Sequence, residues 1–88
     1  MGKNILVIGS GGREHAICWK LKTSPQLETL TCAPGNAGIA GVAKCVDLPE
    51  HKDVLRFCRD MRIDLVVIGP EQPLVEGLSD LLRTQGIA

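Results

Sequence analysis

An α/β domain built on a parallel sheet, strand order 3-2-1-4, is predicted by three observations. Strand-length apolar runs alternate with segments whose apolar residues recur every three or four positions. The runs at 5–8 (ILVI) and 64–69 (DLVVIG) are continuously apolar after any leading charge, as strands covered on both faces require. A glycine-rich turn, 9–12, separates the first strand from the first helix. Right-handed crossovers between parallel strands then place strand 1 between strands 2 and 4. In such sheets ligands bind beyond the carboxyl ends of the strands where the order reverses, so the loops 9–13, 34–38 and 69–73 are expected to converge there.

Each element follows from local chemistry. Ile5 to Ile8 is the first strand and Gly9 to Gly12 the turn. From Arg13 to Lys22, Ile17, Cys18 and Leu21 share one helical stripe with Ala16 and Trp19 beside it, and Thr23-Ser24-Pro25 stops the helix. Leu30 to Ala33 is the second strand. The loop APGNAGIAG follows, and a short strand near Ala43 to Val46 leads to Asp47-Leu48-Pro49-Glu50, which has the character of a helix cap. The next helix is expected to turn Val54, Leu55, Cys58 and Met61 inward. After the strand at 64–69, a last helix from Leu74 to Gln85 puts Leu74, Leu78, Leu81 and Leu82 on one core stripe. Gly86 suits a helix C-cap, and Ile87-Ala88 reads as the start of a further strand, so the chain is expected to be a fragment of a longer fold.

Composition excludes several function classes. With 88 residues, 44% of them hydrophobic, the chain suits one domain spanning 1–88 and is far from a disordered composition. Ten basic residues balance ten acidic ones, and a single Trp and a single Phe offer no stacking platform, so nucleic acid is not an expected partner. The apolar runs are too short to span a bilayer, and no signal-peptide apolar region precedes the first strand, which points to no membrane association and a cytoplasmic setting. Cys18, Cys32, Cys45 and Cys58 lack the paired spacing of a zinc site and sit among apolar neighbours, as reduced structural thiols do. His15 and His51 have no ligand-spaced partner, and no metal site is expected.

The stretch VIGSGGREH at 7–15 raises the question of function, because Gly9, Gly11 and Gly12 cost conformational entropy that alanine would not. One reading is a dinucleotide-binding domain of an NAD(P)-dependent oxidoreductase, since Gly9-x-Gly11 after a strand begins that fingerprint. The third glycine would fall at position 14, which holds Glu14, and the ribose-binding acid at the end of strand 2 is replaced by Ala33 and Pro34. A second reading is a smaller phosphate held by the amides of Gly11, Gly12 and Arg13 at a helix N-terminus. A non-catalytic interaction module is a third. Structural roles stand beside these: the glycines can make a tight turn, Arg13 and Glu14 a solvated first helical turn, His15 a packed or surface residue, Asn36 a turn stabiliser and Glu71 a helix N-terminal charge.

The stretches VIGSGGREHA at 7–16, APGNAG at 33–38 and VIGPEQPLVEGL at 67–78, in this order and at these separations, resemble the N-terminal domain of the phosphoribosylamine-glycine ligases, or glycinamide ribonucleotide synthetases, of the ATP-grasp superfamily. The similarity runs over essentially the whole chain. It departs at Gln72, where that family more often has alanine, and nothing is carried over to 39–47. The resemblance implies a Rossmann-like, pre-ATP-grasp domain of an enzyme of purine biosynthesis that uses ATP and Mg²⁺ to activate glycine and join it to 5-phosphoribosylamine. It implies substrate contacts from Gly9, Ser10, Gly11, Gly12, Arg13, Glu14, His15, Asn36, Gly38, Pro70 and Glu71, where the Glu71 carboxylate can accept from both hydroxyls of a ribose diol. ATP, Mg²⁺ and the catalytic groups would be held beyond residue 88 by the remaining ATP-grasp domains of the same polypeptide. The 88-residue chain alone is therefore expected to be inactive.

Overall fold

Four parallel strands, β1 (Lys3–Gly9), β2 (Leu27–Pro34), β3 (Lys44–Cys45) and β4 (Leu65–Ile68), lie in the order β3-β2-β1-β4 in the computed structural model of the chain, which describes residues 2–48 and 50–68. The fold is thus the expected Rossmann-like α/β architecture. β1 pairs with β2 from Ile5 opposite Leu30 to Gly9 opposite Pro34, and with β4 from Ile5 opposite Leu65 to Ile8 opposite Ile68. The loops that leave β1 and β2 therefore depart side by side.

Alternation of side chains along the strands divides the core into two layers. Ile5, Val7, Leu30 and Cys32 face α1 (Gly12–Lys22) and bury Cys18 and Ile39 against it. Leu6, Ile8 and Ala33 face the opposite way and pack on Val54 and Cys58 of α2 (His51–Asp60) and on Ile63. Leu6 and Val7 have no exposed surface, and burial of each contributes about 1.5–3 kcal/mol. β1 is held at its start by Asn4, whose backbone N–H donates to Asp64 Oδ2 at 2.8 Å and whose carbonyl accepts from Asp64 N–H at 2.7 Å.

The structure departs from the sequence expectations at several points. β2 begins at Leu27 rather than Leu30, because Leu27, Glu28 and Thr29 continue the strand although only residues from Leu30 on are buried. The loop after β2 contains a 3₁₀ turn, Ile39–Gly41, with Ile39 fully buried. Met61 does not turn inward but is 47% exposed. The helix ends in a Schellman arrangement: Arg62 takes φ 53, its N–H donates to Arg59 O at 3.4 Å, and Ile63 N–H donates to Cys58 O at 2.9 Å. That reversal carries Ile63 into the core position expected of Met61. Leu65 is 41% exposed and the rest of β4 half-buried, less covered than its apolar sequence suggests, since among the described residues β4 pairs with β1 alone. The capping character of 47–50 is realised where Asp53 Oδ2 accepts from Glu50 N–H at 3.2 Å. The helix expected over 74–85, Gly86 and the last strand lie outside the described residues, as do loop 69–73 and Gln72.

All four cysteines are free thiols, and Cys18, Cys32 and Cys58 are buried. Burial pushes the Cys32 thiol up to about 12, helped by its thiol neighbours, and the Cys58 thiol up to about 11. Burial also raises Cys18, partly offset by its hydrogen bond to Cys32. Above the ordinary thiol value of 9.0 the unfolded chain therefore loses these protons before the native state does. Stability is fully present below that value and should fall as pH rises toward the folded values. Urea midpoints taken at pH 7.5, 9 and 10.5 should decline above pH 9, and a flat profile would show that burial does not set these thiols.

Candidate functional site

At the carboxyl end of β1 the chain turns sharply into α1. Gly9 has φ 148, a conformation side chains avoid, and a Cβ there would fall on the Cγ, Oε1 and Cδ atoms of Glu14. The space left empty at Gly9 is thus filled from within the protein, by a carboxylate five residues later. Glu14 has no exposed surface, and both its oxygens lack a hydrogen-bond partner among the described residues. A buried acceptor pair of this kind demands donors, because leaving it unsatisfied is costly.

Gly11 is the N-cap of α1, in extended backbone with φ −91 and ψ −179, and no side chain caps the helix. Where Ser or Asp would spend an oxygen on the first-turn amides, glycine leaves them to another acceptor. These amides carry the positive end of an 11-residue helix with Lys20 and Lys22 in its last turn. Gly12 is exposed, and a Cβ there would meet nothing within 4 Å. Gly12 and His15, with Ala16 and Trp19, line a shallow depression of about 350 Å³, in which Trp19 is 61% exposed.

The loop after β2 is tied to this turn. Gly35 N–H donates to Gly9 O at 3.0 Å, and Asn36 Nδ2 donates to Ser10 O at 2.6 Å. Asn36 Oδ1 accepts from Ile39 N–H at 2.9 Å, so both ends of that amide are engaged. Gly38 lies against the His15 ring, where an added Cβ would come within 2.9 Å of Cε1.

The structure thus brings together Gly9, Ser10, Gly11, Glu14, His15, Asn36 and Gly38, with Gly12 and Arg13 exposed on the first turn of α1. Pro70 and Glu71 lie outside the described residues. Sequence reasoning passed over Gly35, whose φ of 73 places its N–H on Gly9, and Cys32, whose thiol donates to Gly9 O at 3.3 Å. It also passed over Cys45, packed where a Gly35 side chain would be and donating to Asn36 O at 3.8 Å. The one available signal was Gly35 beside Asn36, two residue types that tolerate left-handed backbone. Among the described residues no group of three or more His, Cys, Asp or Glu side chains could hold a metal ion, and no helix is long and apolar enough to cross a membrane.

Residues 3–88 match the family described as phosphoribosylglycinamide synthetase, N domain. The chain is 58% identical over 85 residues to a phosphoribosylamine–glycine ligase of Rhizobium meliloti and 55% identical over 85 residues to that of Brucella melitensis, in each case over 94% of this chain and 20% of the relative. It is also 48% identical over 91 residues to the trifunctional purine biosynthetic protein adenosine-3 of Gallus gallus, covering 99% of this chain and 9% of that protein. The chain therefore spans about a fifth of the length of the bacterial ligases it matches. With the glycine turn, the second loop and the strand order all in place, the chain belongs to the phosphoribosylglycinamide synthetase N-domain family.

Proposed function

We propose that this domain holds the phosphoribosyl substrate of an ATP-dependent ligase that joins glycine to 5-phosphoribosylamine, forming glycinamide ribonucleotide in purine biosynthesis. The observation that carries this reading is the N-terminus of α1, capped by no side chain and opening at Gly12. The first-turn amides suit a phosphate, which needs several N–H donors and a positive dipole. Glu71 is assigned to the ribose diol by resemblance. ATP, Mg²⁺ and glycine would be bound by the remaining ATP-grasp domains of the polypeptide, so no step of the chemistry is placed on this chain. A nicotinamide cofactor suits the site poorly, because Glu14 fills the space under Gly9 and β2 ends at Ala33 and Pro34 without an acid for the ribose.

Ligand-induced shifts in melting temperature test this reading on the full-length enzyme that carries the domain. Ribose 5-phosphate at about 100 times its Kd should add about 2.7 kcal/mol and raise Tm measurably, whereas NADH should not. A shift with NADH and none with ribose 5-phosphate would replace this reading with the oxidoreductase one, and no shift with either would favour an interaction module.

A further inference from the structure

Cys32 of β2 and Cys45 of β3 stand directly opposite each other in the parallel register. Their side chains leave the sheet on the same side, since Cys32 belongs to the core layer under α1 and Cys45 packs against that same layer. Neighbouring strands lie about 4.8 Å apart, inside the Cα separation of about 4.4–6.8 Å that a disulfide spans. Both thiols are free, and each donates to a carbonyl of one of the two loops joined at the glycine turn. Cys32 donates to Gly9 O at 3.3 Å and Cys45 to Asn36 O at 3.8 Å. Cys45 Sγ also occupies the space that a Gly35 side chain would need. The two differ in access: Cys32 has no exposed surface, whereas Cys45 is half-buried on a two-residue edge strand.

We propose that Cys32 and Cys45 are a peroxide-sensitive dithiol pair that closes to a disulfide and so loosens the loop after β2 from the glycine turn. Hydrogen peroxide is the oxidant and Cys45 the entry point. The Cys45 sulfur attacks the peroxide, the O–O bond breaks, and Cys45 becomes a sulfenic acid while its thiol proton leaves with the displaced hydroxide as water. The Cys32 sulfur then attacks the Cys45 sulfur. An S–S bond forms, the S–O bond breaks, and the departing hydroxide takes the Cys32 proton to leave as a second water. Two thiols thus give up two electrons, and one peroxide is reduced to two waters. Access selects Cys45 over Cys18, which is hydrogen-bonded to Cys32 but fully buried on α1. Closure removes both S–H donors and draws Cys45 Sγ out from under Gly35, so Gly9 O and Asn36 O each lose a bond and the Gly35 turn loses its packing. Only Lys44 and Cys45 pair with β2, so a short edge segment is what shifts to bring the sulfurs together. A disulfide formed at that cost is readily reduced, which suits a reversible modification rather than a permanent staple.

The test treats the full-length ligase with hydrogen peroxide and maps its disulfides by mass spectrometry of a tryptic digest. Trypsin cuts after Lys22, Lys44 and Lys52, which places Cys32 on the peptide 23–44 and Cys45 on 45–52. The two peptides should be joined in the oxidised protein and separate after dithiothreitol. Cys32→Ser should leave Cys45 as a sulfenic acid that dimedone captures, whereas in Cys45→Ser the Cys32 thiol should stay unmodified. Absence of the joined peptide, a link between Cys18 and Cys32 in its place, or dimedone on Cys32 in Cys45→Ser overturns the inference. Should a variant not accumulate as folded protein, the wild-type map alone decides the pairing. Hydrogen exchange reads the loop, and does so whatever ligand the domain holds. The Gly35 and Ile39 amides, which donate to Gly9 O and Asn36 Oδ1, should exchange about three- to tenfold faster in the oxidised protein than in the reduced one, the size of one lost hydrogen bond. Equal rates overturn the coupling of the pair to the loop.

Discussion

Gly9→Ala will destabilise the domain more than any other single-methyl addition to the glycine turn. Two costs coincide at that position. A φ of 148 is strained for any side chain, at about 1–3 kcal/mol, and the new Cβ falls on the carboxylate of Glu14, an overpacking worth about another 1–3 kcal/mol. For a domain whose whole stability is of order 5–10 kcal/mol, a loss of this size lowers Tm by about 10 °C or more. Gly12→Ala is the matched control. It stands three residues away with nothing within 4 Å of its Cβ, and its stability should change by less than about 1 kcal/mol. The collision with Glu14 can be isolated by a double-mutant cycle. Glu14→Ala removes an unpartnered buried carboxylate, so alone it should cost little or even stabilise. Combined with Gly9→Ala it should recover the overpacking share, a coupling of about 0.5–3 kcal/mol, while the strained φ remains. Additive urea midpoints would show that Gly9 and Glu14 do not share that space.

That cycle also shows where sequence reasoning stopped. The strand order was legible because strand-length apolar runs such as 5–8 and 65–68 alternate with segments of helical period, a pattern that right-handed crossovers turn into the order β3-β2-β1-β4. The expectation of a ligand edge beyond the carboxyl ends of the strands rests on that order alone. The identity of the tenant of the glycine turn did not follow. A glutamate in a first helical turn reads as solvated, because carboxylates are seldom fully buried and the helix dipole already gives it a reason to be there. Only the folded backbone shows that Gly9 and Glu14 occupy one space. Asn36 was legible as a turn residue but not as a bridge, since a side-chain amide carries no mark of the carbonyl 26 positions away that it will reach. Met61 was misplaced for a different reason. Helical periodicity was extended one residue past Asp60, where Arg62 enters left-handed backbone and hands the core position to Ile63.

Gly12→Val in the full-length ligase will separate folding from ligand binding, because the two demands on the glycine turn fall on different residues. Gly9 is spoken for by Glu14, whereas Gly12 faces open space and is exposed. A Cβ at Gly12 meets nothing within 4 Å, and the first helical turn tolerates valine at the modest cost of its helix propensity, about half a kcal/mol. What it does obstruct is the approach to the first-turn amides. Hydrogen bonds to charged groups contribute about 1.5–3 kcal/mol, so loss of one such contact lowers kcat/KM for phosphoribosylamine by about 10- to 150-fold. The KM for ATP, which the proposed function assigns to other domains of the polypeptide, should hold within about twofold, and Tm within a few degrees. Parallel losses in both substrates would identify the turn as a folding element. An unchanged kcat/KM for phosphoribosylamine would place the phosphate somewhere other than the N-terminus of α1.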